Sequence, residues 1–471
     1  MTEPIRGRLG VAAALVVSAG LTFVGLRSGT LLVFVLMGMI IAGLLVRFDL
    51  RTAGIGSAVL AAFTLTWNGV TIGPLKIGDV LVLIALMFLF AANPADALPT
   101  PPWWIKQLAI VIVLIAVVQI YFPPSPQYLA HRIVIDALGN PTVSTTGSLV
   151  TANIGVAFKF VVGVAAIPWA FLGAAKAEPR AMKWLATAFA TGSGLSAAVA
   201  FLDYLGTSIS PAITGHAKQA GRQVGLSYHP NFLAAGIVIS VTIAFCMMFS
   251  PIRRERILGI ATVVADVLGI YASGSRGGSV SILLALALCI VVHPRTRPHA
   301  LTIALASATS LVFVATFVPS FGQSLLRVTR IVNTAGTSGS NQVRSIVGAQ
   351  AIRDVHHSPI FGIGYQVFTE AQEVYLQELA VGGLLLFTSM AIYAVSGIVL
   401  AVRLAPRDTL AGMLGASILV TLALNFVEAD LTDRFYYVPA ALLVTLAYHH
   451  RIRPGSEAIY GSTRARALAA V

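Results

Sequence analysis

The chain has 471 residues, of which 57% are hydrophobic and only 10% charged, against roughly 25% charged residues in a soluble domain. So apolar a chain cannot cover its surface in water, which excludes a soluble globular fold. Its net charge of +13 is dispersed in short basic loops between apolar runs, as in Pro251–Arg256 and His293–Arg297, a pattern that argues against nucleic-acid binding.

Apolar runs long enough to cross a roughly 30 Å hydrocarbon core as helix recur along the sequence. In chain order they predict spans near 9–26, 31–48, 52–70, 74–92, 104–122, 153–175, 181–203, 231–249, 257–272, 276–293, 300–318, 375–402, 408–427 and 435–450. The connections from 52–70 to 74–92 and from 257–272 to 276–293 are so short that either pair can be a re-entrant hairpin. The expectation is therefore an all-α polytopic integral membrane protein with about 12–14 transmembrane helices. Arg6 and Arg8 precede the first run as in a signal peptide, but no small-x-small cleavage pattern follows, so it reads as an uncleaved span. Cys246 and Cys289 lie inside apolar runs, in no metal-type spacing, and read as packed free thiols.

With the N-terminus inside, the inner loops collect Arg47, Arg51, Lys176, Arg180, Lys183, Arg253–Arg256, Arg295, Arg297, Arg403 and Arg407. The tail 451–471 adds Arg451, Arg453, Arg464 and Arg466. The positive-inside rule then places both termini in the cytoplasm of a bacterial-type inner membrane. Three outer segments are long: 123–152, 204–230 and 319–374. In the last, Val343, Ile346, Val347, Ala351, Ile352 and Val355 fall near helical spacing, which predicts a short amphipathic helix over 342–357, stopped by Pro359. With no internal repeat, residues 1–471 form one membrane domain with a large extracytoplasmic loop and a cytoplasmic tail.

Charges are costly at mid-bilayer and there usually mark function. Asp79, Lys159, Asp266 and Glu378 all lie near the outer ends of their spans, Arg276 and Glu428 lie at such ends, and Thr64, Thr66, Trp67 and Asn68 cluster there too. The inner halves are almost free of charge. This asymmetry suits a cavity open to the outside better than a path across the bilayer. Lys159 and Asp266, at similar depth, read as a structural ion pair or as substrate-binding groups. Asp79 reads as a helix cap, and Glu428, Asp430, Asp433 and Arg434 as a solvated turn.

Three outer segments carry an arginine in a distinctive setting. The first runs Gly221-Arg222-Gln223-Val224-Gly225, then Tyr228-His229-Pro230-Asn231; the second is Ser275-Arg276-Gly277-Gly278; the third has Arg344, then Pro359-Ile360-Phe361-Gly362-Ile363-Gly364 and Tyr375-Leu376-Gln377. Guanidinium forks bind phosphate oxygens bidentately and stay charged, so three of them near one outer cavity suit a diphosphate. The glycines beside Arg276 would let backbone approach a bulky ligand.

In order and spacing, these segments over about 220–390 resemble the O-antigen ligase and O-antigen polymerase-like family of bacterial membrane glycosyltransferases. The resemblance implies about 12 helices with a large periplasmic loop. It also implies metal-independent transfer of a glycan from a polyprenyl (undecaprenyl) diphosphate carrier to an acceptor hydroxyl, without a cofactor. By position, Arg222, Arg276 and Arg344 would contact the diphosphate, with His229, Asn231, Gln372, Tyr375, Lys159 and Asp266 as further substrate-binding residues. The partners implied are the lipid-linked donor, a glycan or lipid acceptor, and membrane lipids. One departure stands out: where the family commonly has His-Asn, this chain has Gln372-Glu373. Glu373 can replace the histidine as general base, and His229, His356 or His357 can approach from elsewhere. The alternatives are a small-solute transporter and a non-catalytic scaffold for envelope assembly.

Overall fold

The computed structural model describes residues 49–72, 75–92, 98–135, 141–143, 149–216, 219, 221–317, 335–365, 373–426, 431–453 and 459–460. The expected spans 9–26 and 31–48, Glu428, Asp430, Gln372 and most of the tail lie outside these residues. What is described is all-α apart from two small hairpins. Helix α1 (Leu50–Thr64) leads through β1 (Thr71–Ile72) and β2 (Leu75–Lys76) to α2 (Ile77–Ala92) and α3 (Trp103–Tyr121). A short α4 (Pro126–Ala130) and the hairpin β3 (Ile133–Ile135) with β4 (Pro141–Val143) precede α5 (Leu149–Val161), which a π turn at Val162–Ala166 joins to α6 (Ile167–Ala177). Then come α7 (Ala181–Tyr204), α8 (Ile209–Thr214), α9 (Pro230–Met248), α10 (Arg253–Ser273), α11 (Arg276–Val292) and α12 (Ala300–Phe317). The chain continues with α13 (Ala335–His357), α14 (Val374–Leu404), α15 (Thr409–Leu424) and α16 (Val438–Ile452).

Among the described residues, six helices are long and apolar enough to cross a membrane: α3, the α5–α6 unit, α7, α9, α10 and α14. The strongly bent pair around His293 adds a seventh if it counts as one span, and α1, α2 and α15 are shorter apolar helices. The two pairs that the sequence leaves open as hairpins resolve into separate helices. α1 and α2 pack side by side, joined by the β1–β2 hairpin, and α10 and α11 are joined by Gly274 in the left-handed conformation (φ 55°).

Helix α9 is apolar all round, and such a helix belongs in a core. It is enclosed by α7, α10, α11 and α15, with nearly every residue buried. Close approach depends on small residues, as in lipid generally. A Cβ on Gly192 of α7 would overlap the Phe63 carbonyl, and one on Gly269 of α10 would lie 2.6 Å from the Ala197 Cβ. Gly278 serves the same purpose: its Cβ would lie 2.5 Å from that of Ala234 on α9. The sequence suggests ligand approach for this glycine; helix packing is what occupies it.

The inner loops inferred from the sequence do share one end of the bundle. Lys183 pairs with Glu255 at 2.6 Å, Arg295 donates to the Phe249 carbonyl at 2.7 Å, Arg51 donates to the Ala177 carbonyl, and His450 meets Asp408 at 3.2 Å. The segments 65–72, 75–79, 122–135, 204–216, 221–229, 273–276, 357–365, 373–374, 425–426 and 431–437 gather at the other end. Helix α14 breaks there, at Gly383 (φ 62°). The residues after α13 fill the break. Leu384 and Leu385 donate to the Pro359 and Ile360 carbonyls at 2.8 and 3.2 Å, and Ile363 and Gly364 donate to the Ala380 and Val381 carbonyls at 2.9 Å each. Gln119 of α3 adds a bond to the Gly362 carbonyl at 2.7 Å. Helix α13 itself lies on α14 through Val343, Val347, Ala351 and Val355, packed against Leu376 and Ala380. Ile352, which the sequence places in that apolar stripe, is half exposed instead, because the buried stripe follows a strict four-residue step.

A methyl group at Gly383 would meet the Ile360 carbonyl carbon at 2.3 Å in a backbone region that L-residues avoid. Gly383→Ala is expected to cost at least ~2 kcal/mol, read as a lowered midpoint of thermal unfolding in detergent. Gly56→Ala, at an open helical position, should leave the midpoint unchanged or raise it.

Candidate functional site

The end of the bundle away from the basic loops is organised around the turn between α10 and α11. His229 precedes a proline, so it is extended (φ −143°, ψ 142°) and caps α9. Its Nδ1 accepts from the Asn231 backbone N–H at 3.2 Å. Residues 221–228 are held from two sides: the Gln223 N–H donates to the Ala272 carbonyl at 3.1 Å and the Gly69 N–H to the Leu226 carbonyl at 3.0 Å. Arg222 is thereby laid across the end of α10. Its Nε donates to the Ser273 carbonyl at 2.9 Å, its Nη2 to the Asn231 Oδ1, and its stem lies over Gly274. These two acceptors are neutral, and they orient the guanidinium.

Arg276 opens α11 two residues beyond Gly274. Ser275 caps that helix by accepting from the Gly278 N–H at 3.2 Å. Among the described residues, the Arg276 guanidinium makes no hydrogen bond or ion pair. A helix N-terminus carries a partial positive charge and is suited to anions. Arg222, His229, Asn231 and Arg276 thus meet at one turn.

Lys76 is the basic residue that sequence reasoning passed over. Its Nζ lies 2.6 Å from the Asp433 Oδ1 and 5.2 Å from the centre of the Tyr228 ring, next to His229. Beside it, Arg434 holds Asp79 through a bidentate ion pair, with both side chains nearly inaccessible. Asp433 and Arg434 are therefore not a solvated turn. Their carboxylate and guanidinium are buried because the β1–β2 hairpin and the start of α2 supply the opposite charges. Asp79 also accepts from the Lys76 N–H at 3.3 Å, which agrees with its expected capping role.

The remaining candidates stand elsewhere. Asp266 is fully buried two turns below the α10–α11 turn and accepts a 3.4 Å bond from Ser240. It forms no ion pair with Lys159, which is carried by α5. Equal depth did not mean facing azimuth. Arg344 belongs to α13, over the start of α14. His357 stacks on Tyr128 at 3.8 Å, beside a buried cluster in which Asp354 takes a fork from Arg132 and a 2.7 Å bond from the Tyr128 hydroxyl. That ring is engaged in fixing α4 to α13. Glu373 is exposed at the N-cap of α14, with no side-chain capping bond. Tyr375 donates to the Leu422 carbonyl at 2.6 Å and lines a cavity of about 230 Å³ between α14, α15 and α16, as do the buried Glu378 and Asn425.

Burial, reinforced by the Arg222 charge, lowers the His229 pKa to about 4. With its Nδ1 accepting, the neutral ring carries its proton on Nε2 and acts as a donor, so it is poorly placed to be a base. The unfolded chain binds this proton near pH 6.5 and the folded one only near pH 4. Stability is therefore expected to fall as pH drops from about 6.5 to 4. His229→Gln should flatten that loss in thermal unfolding midpoints measured across the same window. Breaking the buried pair by Asp79→Asn is expected to cost ~3 kcal/mol or more, and Asp79→Asn with Arg434→Gln less than the two single losses together, in the same unfolding assay.

No curated protein matches the chain. A family model described as O-antigen ligase does match residues 261–385, a stretch that holds Arg276, Arg344, Glu373, the end of α10 and the clasp into α14, while Arg222, His229 and Asn231 precede it. Over those residues the chain is similar to the O-antigen ligase family, and the match sits in a helical architecture with six helices, among the described residues, long and apolar enough to cross a membrane.

Proposed function

We propose that the protein transfers a glycan from a polyprenyl diphosphate carrier to an acceptor hydroxyl at the extracytoplasmic face of the inner membrane. The observation that carries this reading is the turn between α10 and α11. There Arg222 is oriented by neutral acceptors and Arg276 stands at a helix N-terminus. Guanidinium groups beside the partial positive charge of a helix N-terminus favour a dianionic leaving group.

In the proposed reaction the acceptor oxygen attacks the anomeric carbon. The new C–O bond forms as the bond from that carbon to the diphosphate oxygen breaks, and the electron pair departs with the diphosphate. Arg276 and Arg222 stabilise the charge that builds on the leaving oxygens. Arg344, on α13 over the start of α14, is the third candidate for these oxygens. The acceptor proton passes to a carboxylate, for which Glu373 is the candidate: it is exposed, at the correct end of the bundle, and stands where the related sequences place His-Asn. His229 donates a hydrogen bond through Nε2 to substrate oxygen. The apolar cavity beneath Glu373 and Tyr375, walled by Phe387, Met390 and Ala391, takes the prenyl chain. Both ligation to a lipid or protein and polymerisation of repeat units use this chemistry.

Arg276→Ala is expected to reduce glycan product by at least ~100-fold while protein level and membrane insertion stay normal. Arg276→Lys, which keeps the charge but loses the fork, should restore only part of it. The checks are gel analysis of the glycan and mass spectrometry of lipid-linked oligosaccharides, which should accumulate. Normal glycan from the alanine variant would refute the assignment.

A further inference from the structure

The end of the bundle opposite Arg222 and Arg276 carries a second cavity, of about 510 Å³, between α3, α14 and α16. One wall is apolar and faces outward: Val395 and Val399, on successive turns of α14, are 58% and 41% exposed. The next residue on the same face is Arg403, and Arg451 of α16 stands at the same rim. Trp103, 63% exposed at the start of α3, and Tyr448 complete the opening. Among the described residues, neither Arg403 nor Arg451 makes a side-chain hydrogen bond or ion pair. Nearby charges do: Lys183 is held by Glu255 and His450 by Asp408.

We propose that this cavity binds an anionic phospholipid, with the headgroup phosphate between Arg403 and Arg451 and an acyl chain along Val399 and Val395. The step from Val395 to Arg403 is eight residues, a rise of ~12 Å along one helix face, which leads from hydrocarbon to headgroup level. Trp and Tyr settle at that same level, where an amphipathic ring meets both media. Two guanidinium groups facing one phosphate supply charge-assisted bonds that a zwitterionic lipid satisfies less well, since its own cation opposes them. A free phosphate would use the arginines and leave the apolar wall idle; a phosphatidylglycerol uses both. The occupant clasps α3, α14 and α16 at the end remote from the proposed chemistry.

The test is quenching of tryptophan fluorescence in nanodiscs of phosphatidylcholine doped with brominated phosphatidylglycerol or, at equal mole fraction, brominated phosphatidylcholine. The full chain should show excess quenching by the glycerol lipid, corresponding to roughly 25-fold local enrichment, given about fivefold for each of the two arginines near an anionic surface. Trp103→Phe should remove the excess, and Arg403→Gln with Arg451→Gln should bring the two lipids level. Equal quenching by both lipids in the unsubstituted protein would overturn the proposal, as would an excess that survives either substitution. Should the double variant fail to fold, the unsubstituted protein and Trp103→Phe decide. Inorganic phosphate, compared with chloride at matched ionic strength, should not displace the lipid; displacement would assign the arginines to the free ion instead and overturn the lipid reading.

Discussion

A backbone N–H or carbonyl in lipid has no water to turn to, so every break in a helix needs a donor and an acceptor from protein. Helix α14 breaks at Gly383, and the strand-like segment 359–364 supplies both. This exchange converts what reads as a long outer loop into part of the bundle. Pro359 stands two residues beyond His357, the last of α13, Gly362 (φ 65°) turns the chain, and the four bonds to α14 fix its position. Arg344 on one side of the clasp and Glu373 on the other are thereby tied to the same break. A motif of prolines and glycines that carries no chemistry of its own thus determines where the chemistry-bearing residues stand.

The buried charges act in the same way. A buried ion pair contributes little to net stability, because desolvation offsets most of the attraction, yet losing one partner is costly. Asp79 with Arg434 and Lys76 with Asp433 therefore specify register more than they add stability. They lock the β1–β2 hairpin to the turn before α16, and Lys76 carries that constraint to the Tyr228 ring and so to the loop bearing Arg222. Arg132 and Asp354 do the equivalent for α4 and α13.

Much of this architecture was legible from hydropathy alone, because a span must be apolar for its full length. α9, α10 and α14 fall where the apolar runs place them, and the basic loops share one end. The motifs also located the α10–α11 turn. What the sequence did not carry was azimuth and long-range partnership. Lys159 and Asp266, expected at similar depth, lie on different helices and form no ion pair with each other. Asp433 and Arg434 look solvated beside their polar neighbours, and Arg434 finds Asp79 at a separation of 355 residues. Gly278 sits beside an arginine but serves α9. His357, a reasonable substitute for the missing family histidine by proximity in sequence, is spent on Tyr128. In each case local composition set the expectation and a remote contact decided the outcome.

One end of the bundle holds its arginines in two ways, and the difference is chemical. Arg132 and Arg434 are almost wholly buried and each is matched by a carboxylate, so neither offers charge to a ligand. Arg222 donates to a carbonyl and an amide oxygen, and the Arg276 guanidinium, at the start of α11, makes no ion pair among the described residues. Arg276 thus leaves positive charge at the mouth of the turn, beside a His229 whose proton affinity is lowered by burial and by the Arg222 charge. A positive turn of this kind is suited to an anion, which is the physical ground for the diphosphate donor proposed above.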